Sequence, residues 1–428
     1  MKTNYYLDDS LELILTFLCP PIGLVAALVN LGIDQVNWRR HVFCIAWGLA
    51  AFAYCYQPTQ GTAPDLVRYF AYCEKLGRLP LAQIWGNGIH GEDSLYAFEL
   101  LCWLIGKIGD KHLLPGISDF CVYYIGMYVT CRIGEKDQYD GKNVARYVYF
   151  ILLAISFYNI TNNVRNVFAF SLVGMAVFRE CYEKKRGLLT GALYIVPCFL
   201  HQSAIVFIIV RLLMGLVGRA KIISTVSVLI VPSVLEFLTN LLSGVSSGNI
   251  IVGTFLKMIR MGNSYFHDDT SSWAVAVKNS GSKRLIRIAY LMVTVIMLYD
   301  IFLLYRDRVG DMWKGNQAKR ESMTDFAFFA LLLTLSCMPM TQPQYWRFVS
   351  VLILFGGSIY LRLGASRDTD ILRKQNYLFV PAAGAWLLTT RELLLYTDVG
   401  VTLLRALICN PFVLLCLRAL GKSIEIIS

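Results

Sequence analysis

Apolar segments of about 17–22 residues recur from one end of this chain to the other. As a helix, each would cross roughly 30 Å of hydrocarbon. That repetition leaves few folds open. Inside a bilayer the backbone must satisfy its own N–H and C=O groups, and within a single segment only a helix does so. Composition agrees: 56% of the 428 residues are hydrophobic and 16% are charged, against about a quarter charged in a soluble domain. The longest polar stretches run to about 35–40 residues, short for an independent soluble domain. The expectation is one all-α domain over residues 1–428, a polytopic transmembrane protein of about 12–14 spans.

Hydropathy puts the spans near 11–31, 41–56, 113–131, 144–161, 164–181, 187–200, 203–217, 222–243, 285–305, 324–341, 346–363, 375–390 and 398–418. Basic clusters set their direction. They are Arg39/Arg40, Arg132/Lys136/Lys142/Arg146, Arg179/Lys184/Lys185/Arg186, Arg211/Arg219/Lys221, Arg306/Arg308/Lys314/Lys319/Arg320, Arg362/Arg367/Arg373/Lys374 and Arg418/Lys422. All are assigned to the cytoplasmic side. The outward loops are then 57–112, 162–166, 201–203, 244–284, 342–346 and 391–397. Residues 94–106 are apolar but short, and a crossing there would turn the clusters from 132 to 221 outward. They are read as a helix lying in the external interface, part of an amphipathic first loop. Residues 187–217 have basic residues at both ends, which predicts a break into two helices with His201-Gln202-Ser203 at the tip, and Pro197 weakens the helix just before it.

Several classes are excluded. The net charge of +11 comes from clusters between apolar segments, the pattern of membrane topology, and no nucleic-acid partner is expected. The twelve cysteines fall mostly inside apolar segments with no Cys-x-x-Cys pair, so they read as small packing residues. The amino terminus carries Asp8, Asp9 and Glu12 rather than a basic cluster, and no cleaved signal is expected. No zinc, Walker or dinucleotide motif is visible, and no metal or cofactor is expected. Glu236 and Asp300 lie inside expected spans, and buried membrane acids of that kind support a transporter reading.

The polar groups bordering the outward side are more suggestive. Thr62-Ala63-Pro64-Asp65 reads as a helix start. Asp65, Arg68, Tyr69 and Tyr72 then share one helical face. Asn163-Val164-Arg165-Asn166 opens a span with a cation at the unfavourable end of the helix dipole; a snorkelling anchor and an anion site both fit. His201 is the only histidine of the five between two closely spaced apolar segments. Gln344-Tyr345-Trp346-Arg347 puts another arginine at an external helix start, its aromatics equally at home in an interfacial belt. In the loop 244–284, Arg260, Lys257 and Tyr265 are weaker candidates.

Asp65-x-x-Arg68-Tyr69, then Asn163-x-Arg165 with Ala169, then His201-x-Ser203-Ala204, in this order along an apolar chain, resemble the EpsG family. Its members look like Wzy-type polymerases of bacterial surface polysaccharides. The resemblance extends over roughly residues 10–360. One position departs: the family pattern carries Gln after the arginine of the second motif, where this chain has the shorter amide Asn166.

The resemblance implies a glycosyltransferase of the GT-C type in the bacterial inner membrane with its site facing outward. It implies polymerisation of oligosaccharide repeat units carried on undecaprenyl diphosphate into capsule, exopolysaccharide or O-antigen. The partners implied are the lipid-linked oligosaccharide, membrane lipid and a chain-length regulator. Arg68, Arg165 and Arg347 suit a departing diphosphate because guanidinium binds phosphate oxygens two-pronged and stays charged. His201 is the first choice of base; Asp65 is the second, or it orients Arg68. Tyr69 and Tyr72 are candidates to stack on sugar rings, with Asn163, Asn166, Gln202 and Arg260 as further contacts. The rival classes are a transporter or flippase of lipid-linked oligosaccharides, which should show two related halves, and another membrane transferase such as an O-antigen ligase.

Overall fold

The computed structural model describes residues 9–34, 36–59, 65–85, 95–213, 236–242, 280–306 and 369–408, with scattered positions elsewhere from 226 to 279 and from 326 to 361. The described residues form an all-helical protein without strands. The chain divides into two compact units. One comprises Met1–Ile205, Ile353–Thr369 and Thr389–Ser428; the other comprises Val206–Leu352 and Asp370–Leu388.

The first unit begins with a departure from expectation. The apolar run 11–31 is not one rod. It folds into an antiparallel hairpin of α1 (Asp9–Leu18) and α2 (Pro20–Ile33). Pro20 and Pro21 cause the break, because a residue before proline is driven out of the helical region, and Cys19 sits at φ −141, ψ 81. Asn30 Nδ2 consequently donates to Glu12 Oε2 at 2.6 Å, across 18 residues of sequence. Gly23 faces the backbone of Thr16 so closely that a Cβ would overlap it.

The remaining helices run up and down beside this hairpin. They are α3 (Trp38–Tyr54), α6 (Leu113–Lys136), α7 (Gly141–Ala154), α8 (Phe157–Asn162), α9 (Val164–Val177) with a π turn at Phe178–Tyr182, and α10 (Leu188–Leu200). α4 (Asp65–Gly77) and α5 (Tyr96–Ile108) lie in the segment between α3 and α6. α6 has 24 residues, about 36 Å of helix. The run 144–161 is also interrupted: Ile155 is extended, and Ser156 caps α8 by accepting from the Asn159 amide at 3.2 Å. Aromatic rings knit α1, α3, α6 and α9 in a continuous series from Phe17 through Trp47, Phe120, Tyr124 and Tyr128 to Phe178, neighbouring centroids 5.1 to 6.3 Å apart.

The expected break in 187–217 falls at His201, between α10 and α11 (Ala204–Leu213). The expected segments at 285–305 and 375–390 lie within α12 (Gly281–Arg306) and α13 (Thr369–Tyr396), and α14 (Val399–Ile408) opens 398–418. Most of the segments at 222–243, 324–341 and 346–363 lies outside the described residues.

Two helices present apolar stripes on their outer face: Ile22, Val25, Val29 and Ile33 on α2, and Leu285, Ile288, Met292, Val295 and Tyr299 on α12. Among the described residues, one helix is long and apolar enough to cross a membrane, Tyr377–Tyr396 within α13; Pro20–Ile33 and Leu188–Leu200 are apolar but shorter.

Candidate functional site

The first unit has two chemically different ends. At one, three of the basic clusters meet. Arg39 Nη2 lies 3.3 Å from Glu135, and Arg132 Nη1 lies 2.5 Å from the same carboxylate. Lys136 donates to the Tyr182 carbonyl, and Arg179 Nε donates to Thr190 Oγ1 at 3.2 Å. The start of α3 adds a buried group: His41 Nδ1 is 2.8 Å from Glu12, with Arg40 at 3.9 Å. Burial works to raise the Glu135 carboxyl, but the Arg132 hydrogen bond and the Arg39 charge outweigh it and hold it below the usual range.

At the other end stand the far end of α3, the start of α6, α4, α5, the α8–α9 junction and the end of α10. Here Arg165, in the first turn of α9, donates from Nε to the Tyr69 hydroxyl at 3.1 Å. Its guanidinium carbon lies 5.2 Å from the Tyr69 ring centre and 5.5 Å from that of Phe98. Tyr69 meets Phe98 edge-on at 5.4 Å, and Phe98 stacks on Tyr72 at 6.3 Å with planes 8° apart. The Tyr72 hydroxyl donates to Glu99 at 3.5 Å. Burial raises the Tyr72 phenol above its ordinary range, and the Glu99 carboxylate pushes it the same way. The phenol is therefore a proton-bearing donor.

The platform depends on a close helix crossing. α4 and α5 touch through backbone at Gly77 and Gly106, and a Cβ on Gly106 would overlap the Cys73 carbonyl. Without side chains there, Tyr69, Tyr72 and Phe98 close onto one another a turn or two away. Each cation–ring contact contributes about 0.5–2 kcal/mol, and a hydrogen bond to a charged group about 1.5–3 kcal/mol. Among the described residues no carboxylate forms an ion pair with Arg165. It is a half-buried cation oriented by aromatic faces, with its two Nη groups suited to an oxyanion.

The other expected residues divide. Asp65 and Arg68 form an ion pair, with the Arg68 side chain 53% exposed. Tyr69 and Tyr72 are 2% and 6% exposed. They do not offer open faces to a sugar: their rings are used in packing Phe98 and holding Arg165. Asn163 Nδ2 donates to the Asn159 carbonyl at 2.9 Å, and Asn166 is buried one position beyond Arg165. His201 ends α10 in extended conformation, its ring edge-on to Phe170 at 5.9 Å. Phe170 lies about 7–8 Å along α9 from Arg165, so both groups border the same helix. His201 Nδ1 accepts the Ser203 amide at 3.2 Å, which assigns the proton of a neutral ring to Nε2. In that state it meets a ligand as a donor. Gln202 follows in the turn before α11. In the second unit, Arg260 Nη2 donates to the carbonyls of Val245 (2.9 Å) and Leu242 (3.4 Å), a helix-end contact. Arg347, Lys257 and Tyr265 lie outside the described residues.

Phe98 and Glu99 are site residues that the sequence reading does not single out. Their signal is the spacing of Phe98, Cys102 and Ile105, one buried face of α5, with an acid beside it. Among acids inside apolar segments, Asp300 is buried and Glu236 exposed. Asp119 and Glu12 are buried as well, Asp119 accepting from Thr161 Oγ1 at 2.7 Å. Among the described residues no three His, Cys, Asp or Glu side chains gather as a metal site. No family model, curated protein or solved structure matches this chain.

Proposed function

We propose that the chain is a multi-pass membrane glycosyltransferase that joins repeat units carried on undecaprenyl diphosphate, acting at the outer face of a bacterial inner membrane. The observation that carries the reading is Arg165 on its Tyr69–Phe98 platform, at the end of the first unit opposite the carboxylate-paired basic clusters. The order of the Asp65, Arg165 and His201 motifs supports it too. The membrane reading draws on the recurring apolar segments, the positive-inside pattern and the exposed apolar stripes of α2 and α12.

In the reaction, an acceptor hydroxyl oxygen attacks the anomeric carbon of the donor sugar. The bond from that carbon to the diphosphate oxygen breaks, and the electron pair leaves with the carrier. Arg165 stabilises the charge growing on the departing diphosphate, with Arg68 beside it on α4. Asp65 takes the hydroxyl proton. His201, with its proton on Nε2, orients a sugar or phosphate oxygen rather than acting as the base. Tyr69 and Tyr72 act through Arg165.

The test is polymer length in cells expressing Arg165→Ala or Arg165→Lys. Glycolipid should stop at single repeat units in the alanine variant while membrane insertion persists. Normal long polymer from Arg165→Ala sinks the reading. A second reading, a transporter of lipid-linked oligosaccharides, is favoured by the buried acids Glu12 and Asp119. It predicts that Asp119→Asn blocks outward appearance of single repeat units, which the polymerase reading leaves intact.

A further inference from the structure

α4 has two working faces. Tyr69 and Tyr72 turn toward α5 and Arg165, whereas Val67, Phe70, Ala71 and Glu74, at i, i+3, i+4 and i+7, line a separate cleft of about 480 Å³. The start of α6 closes it with Lys111 and His112, and α14 reaches it with Arg405. Clefts holding small ligands run from roughly 300 to 1,000 Å³ and combine an apolar lining with a few oriented polar groups. This one has that chemistry. Lys111 Nζ lies 2.6 Å from Glu74 and 5.6 Å over the Phe70 ring. The His112 ring stands 4.9 Å from the same phenyl group. Arg405 Nη1 donates to Gln57 Oε1 at 2.9 Å, so this cation too is held in place.

We infer that this cleft binds a saccharide bearing a carboxylate or phosphate substituent. The apolar lining contributed by α4 suits the C–H face of a pyranose ring. The amide of Gln57, the Glu74 carboxylate and the imidazole suit its hydroxyls, which both donate and accept. Lys111 and Arg405 suit the acidic substituent. The mixture separates the site from a plain phosphate clamp, which needs donors alone. Choosing a saccharide rests on the polymerase reading; the cleft's preference for an acidic over a neutral ligand rests on Lys111 and Arg405 and stands apart from it. Because α4 carries both faces, an occupied cleft borders the helix that holds Arg165.

The experiment uses the full-length protein in detergent, titrated with hyaluronan tetrasaccharide, with the uncharged chitotetraose and with inorganic phosphate, read by calorimetry. The acidic tetrasaccharide should bind at least about 10-fold more tightly than the neutral one, a difference of one decade in Kd. Lys111→Gln and Arg405→Gln should each erase most of that preference. Glu74→Gln releases Lys111 from its carboxylate and should strengthen acidic binding, a gain that misfolding cannot produce. Arg165→Ala should leave the preference in place. Equal binding of both sugars overturns the inference, as does a preference that survives both cation variants, or phosphate alone matching the tetrasaccharide. If Arg165→Ala still polymerises while the acidic sugar binds, the polymerase reading fails and the cleft assignment remains.

Discussion

Arg165 is held differently from the arginines at the other end of the first unit. At that other end, Arg39 and Arg132 share Glu135, Arg132 also reaches Glu183 at 3.6 Å, and Lys185 lies 3.1 Å from Glu183. Charge there is neutralised locally and largely at the surface, where each pair contributes little. At the Arg165 end, Arg68 and Lys111 have carboxylate partners in Asp65 and Glu74, whereas Arg165 is oriented by a phenol and two aromatic faces. A guanidinium positioned by aromatic rings rather than by an ion pair is suited to an anion, the role proposed for Arg165. In the proposed function, the same residue type would serve topology at one end and the reaction at the other.

That contrast can be broken in four ways. The largest effect is expected from Phe98→Ala, which empties the middle of the aromatic platform and should cost about 3–5 kcal/mol in thermal unfolding of the purified protein. A loss below about 1 kcal/mol would mean that the platform is not packed as described. Next is Arg165→Ala, with polymer formation reduced about 100- to 1,000-fold on glycolipid gels, whereas Arg132→Ala should leave it near wild type. Gly106→Val follows: it forces the α4–α5 crossing apart and should destabilise by about 1–3 kcal/mol, with a fall in polymer yield because Tyr69 is displaced from Arg165. The smallest belongs to the end of Arg39 and Arg132. Glu135→Gln should cost less than about 1 kcal/mol near neutral pH. The folded-state carboxyl lies below its ordinary value, so its contribution is complete above the usual carboxylate range and is lost as pH falls through the depressed folded value. The gap between the two proteins' melting temperatures should therefore close in acid, and a gap that widened would reverse the assignment.

Hydropathy and punctuation made much of this legible. The segments that became α3, α6 and α9 are long apolar runs bounded by polar residues, and their helical state follows from period and length. The break at His201 was foreshadowed by Pro197 and by basic residues on both flanks. Pro20-Pro21 carried the same kind of signal, yet an averaged hydropathy window sees an unbroken run over 11–31 and has no sense of direction. The site was legible in its cation and not in its support. Arg165 stands out as an arginine opening an apolar segment. Tyr69 lies 96 positions away, and the part it plays depends on how closely α4 approaches α5. Sequence spacing puts Tyr69 and Tyr72 on one face but does not say whether that face meets solvent or another helix. Phe98 and Glu99 were obscured for the same reason, since a short apolar segment reads alike whether it lies on an interface or packs into a site.

The hairpin of α1 and α2 changes the parity of the chain. A stretch that enters and returns leaves residues 9 and 34 on a common level, and Glu12 meets His41 there. In the membrane reading, this stretch makes no net passage, so α3 becomes the first complete traverse. Every later segment keeps its assigned direction only if Asp9 starts from the level of Arg39 and Arg40. A reporter enzyme active on one side alone, inserted just before Asp9, would register that reversal of the starting side while reporters placed after α3 stay as assigned.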